Sequence, residues 1–212
     1  MNRIWCLLLL FTLFCQRNTP DADELLPVTS AAVWREGNEY HLLLEGARQS
    51  SLDGDAAPVY LAASAHDMDN LFEEAQAAYA DRLTFMHVSL VLIDRTLDRD
   101  DLASLCGVLL DDQGAPRTCY LAFAAGDGAD TLLRHEHPVE DIPGLGLRDL
   151  LHGRESSDNM KLATLQDGKF SSEYDKLFTL QSLYITDDNQ VICGKWVNFD
   201  GKADPLTKGG AP

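Results

Sequence analysis

A histidine and two aspartates lie close together at residues 66–69, where the sequence is His-Asp-Met-Asp. The imidazole of His66 and the carboxylates of Asp67 and Asp69 are groups that bind cations or transfer protons. A helical pattern follows directly, and an aspartate at the start of a helix can instead accept hydrogen bonds from the free N–H groups of the first turn. The segment is therefore a candidate binding or acid/base site, with helix capping as the alternative.

His135 and His137 form a second candidate, because they are two residues apart in a segment predicted to be a strand. Side chains at that spacing point to one face and could share a metal ion with a third ligand. No third ligand is identifiable nearby, and two exposed polar residues on an edge strand would give the same pattern. The sequence also has no serine-hydrolase, zinc-protease or phosphate-binding glycine motif, so we expect neither an enzyme nor a cofactor.

Three cysteines follow the first 16 residues: Cys106, Cys119 and Cys193. In an oxidising compartment two of them could form a disulfide. Cys106 and Cys119 are the preferred pair, because they lie at the end of one predicted helix and at the start of the next predicted strand. The alternative is that all three are small buried hydrophobic side chains.

The elements that must position these residues begin with residues 59–94. A short apolar strand is predicted at residues 59–63, and a long apolar strand, covered on both faces, at residues 84–93. The helix between them has one apolar stripe, formed by Leu71, Phe72, Ala75, Ala78 and Tyr79. Further along, the patterns predict a helix at 98–109, a strand at 118–124, a tight turn at 126–128, an antiparallel strand at 131–137 and a short helix ended by Gly153.

This order of elements over residues 59–153 resembles a thioredoxin-like domain. The resemblance rests on the phrase NLFEEAQAAYADRLTFMHVSLVLID, on the Leu-Cys-Gly-Val sequence that contains Cys106, and on Pro116, which lies where that family has a cis-proline. His66 and Asp69 occupy the two cysteine positions of the family's Cys-x-x-Cys motif, so disulfide exchange of the usual type is excluded. The resemblance implies a central sheet flanked by helices and a binding role, with His66, Asp67, Asp69 and Pro116 as binding residues.

The flanking segments complete a predicted α/β organisation of four parts. Residues 1–16 are a signal peptide or lipoprotein leader, and residues 17–58 are a linker with an N-terminal β-hairpin around residues 36–38. The thioredoxin-like domain spans 59–153. The C-terminal extension, 154–212, has a predicted helix at 158–166, strands at 178–186 and 191–199, and a flexible tail.

The leader and the charge limit the location and the partners. Arg3 precedes an apolar run that ends at Cys15, which is typical of a cleaved signal peptide, of a lipoprotein acylated at Cys15, or of an uncleaved anchor. In all three cases the rest of the chain is extracytoplasmic, whether periplasmic or secreted. A net charge of −17 argues against binding to nucleic acid or anionic lipid, so the membrane is contacted only through the leader.

These observations predict a secreted or membrane-tethered, non-catalytic, thioredoxin-like protein that binds another protein or a small ligand. Two alternatives stay open. One is an extracytoplasmic enzyme or metal-binding protein that uses the His66 region or His135 and His137. The other is an acidic inhibitor or immunity-type protein that blocks a cationic partner.

Overall fold

A mixed sheet of eight strands with helices on both faces forms the described part of the chain. The computed structural model describes residues 25–49, 56–126, 128–158, 160–173 and 178–199. The predicted leader, the acidic linker before residue 25 and the predicted flexible tail lie outside the described residues. The α/β class with a central sheet between helices is confirmed.

The strands are β1 (Leu25–Glu36), β2 (Glu39–Gln49), β3 (Ala56–Ala65), β4 (Arg82–Thr84), β5 (Leu90–Ile93), β6 (Tyr120–Ala124), β7 (Phe178–Ile185) and β8 (Val191–Phe199). The helices are α1 (Met68–Ala77), α2 (Arg99–Gly107), α3 (Ala129–Leu133), α4 (Pro143–Asp158) and α5 (Leu165–Glu173). A π-helical turn, Val108–Asp112, follows α2 directly. The predicted strands at 178–186 and 191–199 are therefore confirmed as β7 and β8.

The strand order is β3-β2-β1-β5-β6-β7-β8, and β4 pairs with the beginning of β1. The four strands β1, β5, β6 and β7 run parallel, whereas β2, β3 and β8 are added antiparallel at the two ends. The first strand of the N-terminal hairpin is thus central in the sheet. The hairpin itself is confirmed: Glu36 pairs with Glu39 across a two-residue turn, and Gly37 at its first position has a φ of 62°, as in a type II′ turn.

Apolar residues that alternate along the strands pack into two cores, one on each face of the sheet. Helices α1, α2 and α5 cover the first face, and α3 and α4 cover the second. In β5, Val91 and Ile93 point into the first core while Leu90 and Leu92 point into the second, and all four are fully buried. The prediction of a strand covered on both faces is confirmed for this segment.

The single long strand predicted at residues 84–93 is wrong, since β4 ends at Thr84 and the next strand, β5, begins only at Leu90. Between them the Val88 N–H donates to the Phe85 carbonyl oxygen at 3.1 Å, which closes a turn. The side chains of Phe85 and Val88 are nevertheless buried in the first core. Because the turn is as apolar as the strands, hydrophobicity alone does not mark the interruption.

The antiparallel strand predicted at residues 131–137 is also wrong. Residues Ala129–Leu133 form helix α3, whose Leu132 and Leu133 both pack into the second core. The neighbour of β6 on that side is the parallel strand β7. The next helix, α4, is longer than predicted and continues past Gly153 to Asp158, and the helix predicted at 158–166 lies later, as α5.

Candidate functional site

The most elaborate polar arrangement in the described residues surrounds the carboxylate of Glu45, which is completely buried. The hydroxyl of Thr29 donates to Glu45 Oε1 at 2.9 Å and to the Glu45 main-chain oxygen at 3.0 Å. The Gly144 N–H donates to both carboxylate oxygens, at 3.1 and 3.0 Å, and the Tyr60 hydroxyl donates to Oε2 at 3.3 Å. We refer to Thr29, Glu45, Tyr60 and Gly144 as the Glu45 cluster.

Sheet register and a helix terminus bring these four residues together. Glu45 on β2 lies opposite Tyr60 on β3. On its other side, two residues of β1 advance where β2 advances one, between Val28 and Ser30, and this bulge adds Thr29 beside the carboxylate. Helix α4 begins at Pro143, so the N–H of Gly144 belongs to its first turn, which has no intrahelical acceptor. Glu45 therefore caps α4 and fixes it to the hairpin.

The electrostatics agree with a structural role for Glu45 rather than with a reactive one. Burial raises the pKa of Glu45, and the hydrogen bonds from Gly144 and Thr29 oppose that shift by stabilising the ionised form. Burial, together with the neighbouring Glu45 carboxylate, raises the pKa of Tyr60. The guanidinium of Arg134 lies 4.9 Å from the centre of the Tyr60 ring. No surface of the Glu45 side chain is open to a solute, so this carboxylate can hold elements together and hold a proton, but it cannot contact a substrate.

A second polar connection ties the same hairpin to α2 on the opposite face. Tyr40 and Arg35 both donate to the Asp101 carboxylate, Arg35 at 3.0 Å. Asp101 also accepts from the Asp98 N–H while Asp98 accepts from the Asp101 N–H, a reciprocal capping box at the start of α2. The nearby carboxylate of Asp101 is the main reason that the pKa of Arg35 is raised. The hairpin is thus held by one buried carboxylate on each side.

The predicted binding segment at residues 66–69 lies at the start of α1. Asp67 is the N-cap of α1 and accepts from the Asn70 N–H at 2.8 Å. His66 is exposed, with Nδ1 3.3 Å from the Asn38 carbonyl oxygen, and Asp69 is exposed in the first turn. The capping alternative accounts for Asp67, and a binding role for the three residues stays a prediction.

Pro116 is half-buried in the loop before β6, away from regular structure. Its carbonyl oxygen accepts from the Cys119 N–H at 3.0 Å. The described residues contain no cis peptide bond, so the cis-proline that the resemblance implied is absent. These contacts of Pro116 do not test its binding role, which stays a prediction.

Cys106 and Cys119 both lie in the first core as free, buried thiols, and Cys193 is half-buried on β8. Burial raises the pKa of the Cys106 thiol to about 12. It also raises the pKa of the Cys119 thiol, to which Cys106 adds a smaller effect in the same direction. This packing matches small hydrophobic side chains, and the Cys106–Cys119 disulfide stays a prediction.

His135 and His137 follow α3 rather than lying on a strand. His135 Nε2 is 3.0 Å from the Asn189 carbonyl oxygen, and His137 Nδ1 accepts from the Glu140 N–H at 3.2 Å. Within the described part of the chain, no three His, Cys, Asp or Glu side chains are grouped so that they could hold a metal ion. The two histidines make different local contacts and are not brought together as one site.

Sequence reasoning missed both buried carboxylates. The signal for Asp101 was present, because Asp98 and Asp101 are spaced as in a capping box. The signal for Glu45 was weaker: a single acidic residue that directly follows three leucines in a predicted strand. Its partner Gly144 is 99 residues away along the chain, so no local pattern connects the two.

Comparison with known families places the chain beside a family of spore proteins. Residues 19–175, about three quarters of the chain, match the model of the spore germination protein N-terminal domain. Searches of curated proteins and of solved structures returned no match. No helix among the described residues is long and apolar enough to cross a membrane.

The thioredoxin-like resemblance over residues 59–153 is therefore wrong, since the matching family is a different one. The topology shows why the sequence pattern misled. β3 and β5, the two strands expected to form a β-α-β unit around α1, are not neighbours, because β2 and β1 lie between them. A strand-helix-strand pattern predicts the elements but does not predict which strands pair.

Proposed function

The chain belongs to the family of the spore germination protein N-terminal domain, and on that premise we propose that it acts in spore germination by binding another protein. It does so outside the cytoplasm, attached to the membrane by its N-terminal segment, and it catalyses no reaction. The match over residues 19–175 is the observation that carries this proposal.

The engagement of the buried ionisable groups supports a binding role over catalysis. Glu45 caps α4, and Asp101 joins the hairpin to α2. The thiols of Cys106 and Cys119 lie in the core with raised pKa values, so they are protonated and inert at neutral pH. These groups stabilise the sheet and its helices. A partner protein would therefore be bound by residues on the surface.

The sequence supports the location. The apolar run before Cys15 directs the chain out of the cytoplasm, whether the leader is cleaved, acylated or left as an anchor. The net charge of −17 opposes direct adhesion of the folded part to an anionic membrane. Contact with a membrane would therefore pass through the N-terminal segment or through a membrane-bound partner.

The proposal predicts that spores lacking the gene germinate more slowly than wild-type spores. The measurement is the loss of heat resistance after exposure to a germinant, with the deletion strain complemented by the intact gene as the control. A tagged chain should sediment with spore membranes and be open to added protease on their outer face. Wild-type germination by the deletion strain, or recovery of the chain in the cytoplasmic fraction, would refute the proposal.

A further inference from the structure

The outer edge of β3 is a ten-residue strand edge with no neighbour among the described residues. β3 pairs with β2 through every residue from Ala56 to Ala65 and is the last strand at that end of the sheet. A strand at the end of a sheet presents a row of unpaired backbone N–H and C=O groups, which can pair with an added strand.

The register determines which groups point outward. The two-residue turn between Glu36 and Glu39 makes that pair hydrogen-bonded, so odd-numbered residues of β2 bond to β1 and even-numbered ones bond to β3. Leu42 lies opposite Ala63, and hence odd-numbered residues of β3 bond to β2. The backbone groups of Tyr60, Ala62 and Ser64 therefore point away from the sheet. Pro58, which has no N–H, shares their outward orientation, as expected of an edge proline.

The opposite end of the sheet is protected in a way that β3 is not. The pairing of β8 with β7 is interrupted between Gln181 and Leu183, where β8 contains an extra residue. β8 also has an exposed lysine, Lys195. Bulges and edge lysines are features that prevent further strand pairing. β3 has neither, since its ladder with β2 is continuous and none of its ten residues is charged. Its one protective residue, Pro58, lies near its beginning and leaves residues 60–64 able to pair.

The charges beside β3 indicate the chemistry of the added strand. Helix α1 follows β3 after two residues and packs on it, and Asp69, Glu73 and Glu74 of α1 are exposed. Arg48, at the far end of the β2–β3 ladder, is already paired with Asp81. A second copy of this chain would bring two acidic helices together, whereas a basic segment would be attracted.

We propose that the edge of β3 binds an extended segment of a partner protein as an additional strand of the sheet. The segment is uncharged where it pairs with residues 60–64 and has lysine or arginine residues beside it. This inference goes beyond the proposed germination role and names how the partner is held. It is tested on the purified chain without spores, so its failure and the failure of the germination role are distinguishable.

The test uses the synthetic peptide KKVTVTVTKK, and hydrogen exchange measured by NMR on the full chain. Addition of the peptide should slow exchange of the outward amides of Tyr60, Ala62 and Ser64 at least tenfold, and leave those of Leu61 and Ala63, already bonded to β2, unchanged. The same peptide with glutamate in place of lysine, and a version with alternate backbone nitrogens methylated, should bind at least tenfold more weakly.

Two variants of one residue provide the matched control. Ala62→Pro removes an outward N–H without breaking the bonds to β2 and should weaken peptide binding at least tenfold, whereas Ala62→Val retains the N–H and should bind like wild type. Thermal unfolding verifies that both variants are folded. If the proline variant does not fold, the methylated peptide still tests the same hydrogen bonds. Absence of protection, amides already protected in the free chain, or protection that depends on protein concentration alone would overturn the proposal.

Discussion

Replacement of Gly144 by alanine is expected to destabilise the protein by about 3 kcal/mol, the upper part of the range for overpacking a filled interior. A Cβ atom at this position would lie 2.1 Å from Ser30 Oγ and 2.5 Å from Glu45 Oε1. Both are buried atoms, so neither can move into solvent. To relieve the clash, α4 must move away from the sheet, and this movement breaks the hydrogen bonds from Gly144 N–H to the carboxylate.

Gly153 in the same helix is the matched control. Apart from its chain neighbours and the backbone of its own helix, no atom lies within 4 Å of the position that its Cβ would occupy, and the residue is exposed. Alanine is the better helix former by about 1 kcal/mol, so Gly153→Ala should leave stability unchanged or raise it slightly. Urea unfolding of both variants tests the prediction. Equal stability of the two variants would show that α4 does not contact the Glu45 cluster as described.

Replacement of Glu45 by alanine is the second large effect, with an expected loss of about 3 kcal/mol in the free energy of unfolding. The change leaves the Gly144 N–H and the Thr29 hydroxyl buried without their acceptor, and each such group costs about 1–3 kcal/mol. Glu45→Gln retains an acceptor oxygen of similar shape, so it should be less destabilising than alanine. Chemical unfolding at neutral pH compares the two.

The glutamine variant also isolates the pH dependence that Glu45 gives to the free energy of unfolding. Burial raises the pKa of Glu45 above its ordinary value of 4.5, so the folded protein binds this proton more tightly than the unfolded chain. The resulting stabilisation is complete below the unfolded pKa and is lost as the pH rises through the folded one. The stability of wild type relative to Glu45→Gln should therefore fall over the pH interval that begins at the ordinary value of 4.5 and extends upward. A difference that stays constant or rises over this interval would contradict the assigned burial.

Local patterns were sufficient for much of the fold. The Glu-Gly-Asn turn predicted the first hairpin, because glycine at the first turn position permits the positive φ of Gly37. The stripe that contains Leu71 and Phe72 predicted α1, and these two side chains are fully buried. The C-terminal strands were predicted for the same reason, since apolar and β-branched residues dominate β7 and β8.

Long-range features were beyond those patterns. β5 lies beside β1, and not beside β3, because the chain crosses the sheet after α1, and no residue in α1 encodes that choice locally. The turn with Phe85 and Val88 is as hydrophobic as a strand. Helix α3 has only five residues, too few to show a helical period in the sequence. The role of Glu45 depends on Gly144, which is distant in sequence, and therefore required the folded structure.

The measurement that tests the binding role most directly is the mass of the tagged chain extracted from spore membranes in mild detergent, determined by native mass spectrometry. The account predicts a complex of the chain with one other protein at a fixed ratio, recovered in parallel with the ability of the spores to germinate. Recovery of the chain only as a species with its own mass, from spores that need it to germinate, would contradict the account.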